Sequence, residues 1–436
     1  MLTFNYQYRI YPDQFQEEKL LEIMEICRSA YNYALREIKD WCNSRKSSID
    51  RCSLVSEYII PADAKFPSEL SQLNQLPKAK KEFPNLKQVP SQVLQQTIKQ
   101  LHRAWDFFRA RGYGFPRFKK LGQFKSILFP QFKESPLTPL RKGGKEGGIW
   151  QISLPKIGKV RINVHRPIPE GFKVKQVRVI RKADKWYVSI CIQLDVDVPD
   201  PQPHGHPLGV DIGLEKFLAT SDGVLVKPPN FFKKMQSELK LLQRRLSRKQ
   251  KRSKNYEKQR IKVARMHHKI SNTRKDFHYK QAHALCDAGD MIFMEDLDYR
   301  IKAKGMLGKE MLDGGFGQFR TITQQVCWKR GKYFSVVDAR GSSQTCPNCG
   351  VHVKKDPRPS PNRIRAGKRG CIPHLSVRVH KCPECKYEAD RDVAAAQVLK
   401  NRGLNLVRPD SSERKQPATD GVSHQERSVG GLVSQS

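Results

Sequence analysis

Acidic side chains are scarce in this chain: 43 Asp and Glu stand against 81 Lys and Arg, a formal net charge of +38 over 436 residues. So large an excess goes far beyond solubility tuning. It attracts a polyanion, and nucleic acid comes first among polyanions. Long apolar runs are missing too. Without a spanning stretch, an amphipathic anchor or a lipidation signal, an anionic membrane is set aside as the partner. Met1-Leu2-Thr3-Phe4-Asn5 leads straight into alternating Tyr-rich sequence with no secretory pattern, so the expected setting is the cytoplasm, in association with the nucleoid. Disulfides are not expected there. Of the 11 cysteines, the paired ones read as metal ligands, and Cys27, Cys42, Cys52, Cys191, Cys286 and Cys327 read as packing. No internal repeat stands out, and the length suits roughly two to four compact units.

What is present divides into two halves. Thr3 to Tyr11 alternates, with Phe4, Tyr6, Tyr8 and Ile10 on one face, as a strand does. Pro12 breaks it, and Asp13 is placed to cap a helix from about Gln14 to Asp40. A polar, Lys- and Pro-rich stretch from about Ser44 to Pro90 follows with no element assigned. A second helix opens at Ser91 and runs through Trp105, Phe107 and Phe108, three rings read as core. Residues 12–113 thus form a helical module. From Gly114 the period changes to short alternating segments (150–154, 160–164, 175–180, 186–190), which predicts a small β-barrel over 114–198 that residues 1–11 join. The Pro-, Gly- and Lys-rich insert from Glu134 to Gly148 is expected to be a disordered loop. Val198 to Pro203 reads as a linker.

In the second half, Gly209-Val210-Asp211-Ile212-Gly213 reads as a strand, followed by a hairpin turning at Ser221-Asp222-Gly223. A basic helical hairpin spans about Phe231 to Ala288, with its tip at Ser253-Lys254-Asn255 and Leu239, Leu242 and Leu246 as a stripe for packing on this half. Met291 to Met294 is a short buried strand ending at Glu295-Asp296. A helix from about Gly317 to Gly331, a strand at 333–337 and a helix from Asp392 to Leu404 complete the pattern. Residues 205–340 and 390–405 form one domain, interrupted by a cysteine-bearing insert at 341–389. Residues 406–436, polar and without apolar period, are expected to be a disordered tail.

Two pairs, Cys346/Cys349 and Cys382/Cys385, form knuckles suited to a tetrahedral zinc ion. Cys371, His374 and His380 lie in the long gap between them and leave another fourth ligand open, but the four paired cysteines explain both spacings at once. Asp211 sits mid-strand among apolar residues, where a carboxylate is costly unless a cation or a hydrogen-bond network compensates. Singly, Asp211 also suits a turn or the first phosphate loop of an actin-like ATPase, Glu295 a plain strand end, and Asp392 a helix-opening acid favoured by the dipole. Together, beside a zinc ribbon, the three carboxylates make a hard oxygen site for Mg²⁺. Two such ions ~3.5–4 Å apart would serve phosphodiester cleavage.

With these motifs, and with Ser343-Gln344-Thr345-Cys346-Pro347-Asn348-Cys349-Gly350, Cys382-Pro383-Glu384-Cys385, Asp390-Arg391-Asp392 and Gly114-Phe115-Pro116-Arg117-Phe118-Lys119, the chain resembles the TnpB family, the OrfB-type proteins of insertion sequences. The resemblance reaches to about Asn405. It implies an α/β ribonuclease-H-like (RuvC-type) nuclease domain with an inserted zinc ribbon, preceded by a wedge β-barrel that carries a helical recognition module. It also implies an RNA-guided DNA endonuclease related to type V CRISPR effectors. The guide RNA, encoded near the element, and double-stranded target DNA would be its partners. Asp211, Glu295 and Asp392 match the family's magnesium-binding catalytic places. Ala394 stands where the family usually has Asn, and the gap between the cysteine pairs is longer than usual. A guided binder with a silent nuclease centre and a guide-independent transposase are the competing readings. The actin-like reading lacks its other phosphate loops. The crowded cations Arg244, Arg245, Arg248, Lys249, Lys251, Arg252 and Lys254 are read as contacts to guide RNA or heteroduplex, since phosphates relieve their mutual repulsion.

Overall fold

The alternating start does form a strand, β1 (Leu2–Tyr11), and Asp13 does cap the helix α1 (Gln14–Ser44). The Asp13 carboxylate accepts the Gln16 amide at 2.7 Å, and the Gln16 side chain accepts the Asp13 amide in return, a closed capping box. This computed structural model describes residues 2–45, 60–61, 63–131, 137–139, 150–299, 308–353 and 378–407. Two further helices follow, α2 (Glu69–Glu82) and α3 (Ser91–Arg111), the latter closed by Gly112 in the left-handed region at φ 72°. The second of these was expected; α2 was not, because Pro77 lies inside it. Ser68 caps its first turn, Pro77 is exposed, and Gln72 is buried between the Ala34 carbonyl, Glu37 and His102.

Seven strands make one antiparallel sheet: β1, β2 (Ser126–Phe129), β3 (Leu137–Pro139), β4 (Trp150–Leu154), β5 (Gly158–Asn163), β6 (Lys173–Lys182) and β7 (Lys185–Leu194), in the order β2-β6-β7-β1-β5-β4-β3. The N-terminal strand is therefore central, paired with β7 along almost its whole length. Among the described residues the edge strands β2 and β3 do not pair, and the sheet is a half-barrel. Its inner face packs Tyr8, Ile10, Val179 and Ile190 against Leu20, Ile23 and Met24 of α1 and Val93 and Leu94 of α3 in a single core. Leu137–Pro139 falls in the insert expected to be disordered, yet its backbone pairs with β4. The rest of that insert, and the tail beyond Val407, lie outside the described residues.

The chain divides into two compact units, and the division falls in the Pro-rich linker: one holds 1–199 and 235–271, the other 200–234 and 272–436. The basic hairpin, α4 (Phe231–Ser247) and α5 (Lys254–Ala288), therefore has its tip in the first unit, whereas the leucine stripe had been assigned to the second half. Arg265 forks onto Asp184 in the β6–β7 turn at 3.0 and 2.6 Å, and His268 packs on Tyr187. Pairing of this kind between distant segments leaves no periodic trace in the sequence.

The second unit is built on β8 (Pro207–Ile212), β9 (Leu218–Thr220), β10 (Leu225–Val226), β11 (Met291–Asp296) and β12 (Tyr333–Asp338), ordered β10-β9-β8-β11-β12. The first three strands form antiparallel pairs, whereas β11 and β12 run parallel to β8 and to each other. Two helices, α6 (Gly308–Gly314) and α7 (Phe316–Lys329), precede β12, and α6 was not anticipated. The ribbon hairpin β13 (Val379–Lys381) and β14 (Glu388–Asp390) leads directly into α8 (Arg391–Val407). Cys286 and Cys327 are fully buried with sulfurs 3.4 Å apart, and Cys27 and Cys191 are buried as expected; Cys42 is half-buried. Cys52 lies outside the described residues.

Candidate active site and metal centre

Parallel pairing of β8 with β11 sets Val210 opposite Met294. One residue further along the two strands stand Asp211 and Glu295, which therefore share a face at the carboxyl ends of adjacent strands. Glu295 is only 5% exposed and Asp211 is half-buried. Both acids press on the Tyr299 phenol. Burial first, and then the Glu295 and Asp211 charges, push its pKa above the usual tyrosine range.

Asp392 arrives from a different element. A β-carbon on Gly209 would lie 1.9 Å from the Ala396 carbonyl oxygen, so α8 rests directly on the backbone of β8 at that point. Asp392 is one helical turn ahead of Ala396, about 6 Å along the axis. Asp211 is two residues beyond Gly209, about 6.6 Å along the strand. Helix and strand run in opposite senses here, since Lys216, just past β8, reaches the start of α8. The start of α8 therefore lies toward the Asp211 end of β8. The helix touches down again where a β-carbon on Gly403 would strike the Phe293 ring of β11. Ala394, Ala395 and Ala396 are all buried.

The start of α8 is held by charge. Lys216 donates to Asp390 Oδ2 at 2.5 Å, and its ammonium lies 3.8 Å from Asp392 Oδ2. Arg391 reaches Asp392 Oδ1 at 3.1 Å. Asp390 Oδ1 accepts the amides of Asp392 (3.0 Å) and Val393 (3.4 Å), capping the helix. Burial works against ionising Asp390, but the Lys216 bond and these amides hold its carboxyl below the usual range. Of Lys216, Asp390 and Tyr299 only Asp390 lies within a quoted motif, and the sequence assigned none of the three a role.

The four paired cysteines converge. Their sulfurs all lie within 4.8 Å of one another, with Cys346 to Cys385 and Cys349 to Cys382 both at 3.5 Å. Four thiolates about 2.3 Å from one zinc ion require sulfurs roughly 3.8 Å apart, so the set fits tetrahedral zinc. Both knuckles fold alike. Gly350 and Lys386, each directly after the second cysteine, take positive φ and donate their amides to the Cys346 and Cys382 carbonyls at 3.0 and 3.1 Å. His380 is buried on β13 outside this cluster, while Cys371 and His374 lie outside the described residues. Among the described residues no second group of ligating side chains draws together in this way, and Asp211, Glu295 and Asp392 do not form such a group.

The seven cations assigned to nucleic acid gather at the end of the α4–α5 hairpin. Arg244, Arg245, Arg248, Lys251, Arg252 and Lys254 are exposed and Lys249 is half-buried; Arg252 turns the chain at φ 72°. Of the three rings read as core, Trp105 and Phe108 do pack, with Phe115, but Phe107 is 54% exposed under Arg111. It borders a groove of about 270 Å³ that also carries Lys99, Arg103 and Arg178. The helical period of α3 turns only part of its aromatic run inward.

Fold and site together define a class: a strongly basic β-rich unit joined to an α/β unit whose last helix follows a four-cysteine ribbon. The chain belongs to the OrfB/TnpB family of insertion-sequence proteins. Residues 189–304 match a family model described as "Probable transposase", residues 316–399 match a "Cas12f1-like, TNB domain", and residues 1–47 match a "Helix-turn-helix domain". That last segment is here a strand followed by one 31-residue helix. The chain is 34% identical over 332 residues to the "Putative RNA-guided DNA endonuclease InsQ" of Escherichia coli (strain K12), covering 72% of this chain and 75% of the relative. A "Putative RNA-guided DNA endonuclease" of Streptomyces pristinaespiralis is 29% identical, with 92% and 89% covered. A Cas12f1–sgRNA–target DNA complex aligns over 92% of this chain and 99% of its own at 15% identity and a TM-score of 0.32.

Proposed function

We propose that this chain is a transposon-encoded, RNA-guided DNA endonuclease whose catalytic acids are Asp211, Glu295 and Asp392. The observation that supports the reading is the pairing of β8 with β11, which puts Asp211 and Glu295 at the carboxyl ends of adjacent parallel strands, with the helix that opens at Asp392 packed on β8. The order and directions of β8 to β12 support reading the second unit as a ribonuclease-H-like, RuvC-type nuclease core. The names of the two relatives support the endonuclease reading. Guide RNA and double-stranded DNA are the partners that a +38 chain is suited to hold. The first unit, with its sheet, helical module and basic hairpin, is read as their cradle.

The three acids fit a divalent cation by chemistry. Glu295 is buried, and Asp392 already attracts the Lys216 ammonium, so positive charge is wanted here. Mg²⁺ bound to them, two ions in the usual scheme, supplies a more acidic water and charge neutralisation for phosphodiester hydrolysis. Glu295 and Asp211 contribute fixed carboxylates from a rigid sheet, and Asp392 enters from a helix whose cap fixes its first turn. Zinc at the four cysteines is structural, because all four positions are filled by protein.

The test is cleavage of a plasmid carrying a randomised flanking sequence by protein coexpressed with its native transcript region, in Mg²⁺, beside Asp211→Ala. Guide-directed cuts lost in the variant are expected. Copurifying RNA without cuts in either sample would leave only a guided binder, and cuts without RNA would indicate a guide-independent transposase.

A further inference from the structure

Lys216 stands where three parts of the second unit meet. It follows β8, the strand of Asp211. Its ammonium bonds Asp390 Oδ2 at 2.5 Å and lies 3.8 Å from Asp392 Oδ2. Asp390 is the last residue of β14, opposite Val379 of β13, so it belongs to the ribbon hairpin that Cys382 and Cys385 close. Neighbouring contacts run in parallel: Arg378 pairs with Glu215, and the Arg391 amide donates to the Arg378 carbonyl at 2.8 Å. Both knuckles are also braced on α8. Tyr387 bonds Gln397, and Asn401 donates to the Pro347 carbonyl at 2.8 Å.

We propose that Lys216 is a positioning residue that couples the ribbon's zinc site to Asp392. The inference rests on the reading of Asp211, Glu295 and Asp392 as a divalent-cation site. Lys216 has two acidic neighbours and bonds only the nearer one. A cation added beside Asp392 takes up that carboxylate's charge and repels the ammonium, so Lys216 is held by Asp390 alone and the end of the ribbon hairpin is fixed. Zinc, by ordering the same hairpin, holds Asp390 in place as anchor for Lys216 and leaves Asp392 to the incoming cation. The two metal sites therefore favour each other, and the favour is reciprocal at equilibrium.

The experiment measures zinc affinity of the full chain by equilibrium competition with a chromophoric chelator, with and without saturating Mg²⁺. Mn²⁺ binding by paramagnetic resonance is followed in parallel. In the wild type, Mg²⁺ is expected to raise zinc affinity about five-fold or more. Lys216→Arg keeps the charge and most of that effect. Lys216→Met and Asp390→Asn bring the ratio to about one, although Asn still caps α8. A merely structural Lys216 would alter zinc affinity equally with and without Mg²⁺. An unchanged Mg²⁺ effect in Lys216→Met, or no effect in a wild type that binds Mn²⁺, overturns the coupling. A wild type that binds no Mn²⁺ overturns the cation-site reading beneath it.

Discussion

A methyl group on Gly209 would sit 1.9 Å from the carbonyl oxygen of Ala396 and 2.7 Å from the amide nitrogen of Lys400. Both are helix backbone atoms and cannot rotate away. The glycine is thus needed for close approach, not for an unusual dihedral angle, and that approach sets the distance between Asp392 and Asp211. Gly209→Ala is expected to push α8 off the sheet, at a cost of about 1–3 kcal/mol as for other overpacked cores. Thermal unfolding should show a lowered transition for the second unit, and an unshifted transition would show that the helix yields freely. Ala394 is itself buried, at 1% exposed. Asp392 takes its neighbours from Arg391 and Lys216, not from position 394.

The α4–α5 hairpin crowds exposed cations at its turn and buries apolar residues along its arms. Leu239, Met266 and Ile270 are buried, the Gln259 side chain donates to the Leu242 carbonyl at 3.1 Å, and the arginines near the turn point outward. If each of Arg244, Arg248 and Arg252 meets one phosphate, replacing all three by Ala lowers the salt slope of RNA binding by about 2. Filter binding across a salt series reads this directly, and an unchanged slope would remove the hairpin from the RNA path. Elements with strong local signals were legible: β1 by alternation, α1 by Asp13, the β9–β10 turn by Ser221-Asp222-Gly223, and both cysteine knuckles by spacing. Those decided by distant partners were not. Pro77 hid α2, the β3–β4 pairing was masked by a Pro- and Gly-rich context, and the hairpin's attachment through Arg265 and Asp184 has no sequence signature. The acids were legible as a set only through their motifs, since Lys216 and Tyr299 acquire meaning from folding alone.

Across the whole molecule, the excess of 38 positive charges is the dominant long-range term. Charges of one sign in a compact chain repel, and the repulsion is relieved either by a bound polyanion or by added salt. These two remedies predict opposite behaviour for the free chain and the complex. Stripped of nucleic acid, the protein should gain thermal stability as salt rises, because screening removes self-repulsion. A gain of about 2–4 °C for each kcal/mol relieved is expected for units of this size. Bound to RNA, the repulsion is already neutralised, and rising salt instead releases the ligand by counterion competition, so the transition should fall toward that of the stripped chain. Scanning both forms over the same salt series therefore gives two curves that converge. Parallel curves would mean that the charge is not the RNA-binding determinant. The basic hairpin would then need an account in terms of particular contacts instead of the molecule's net field.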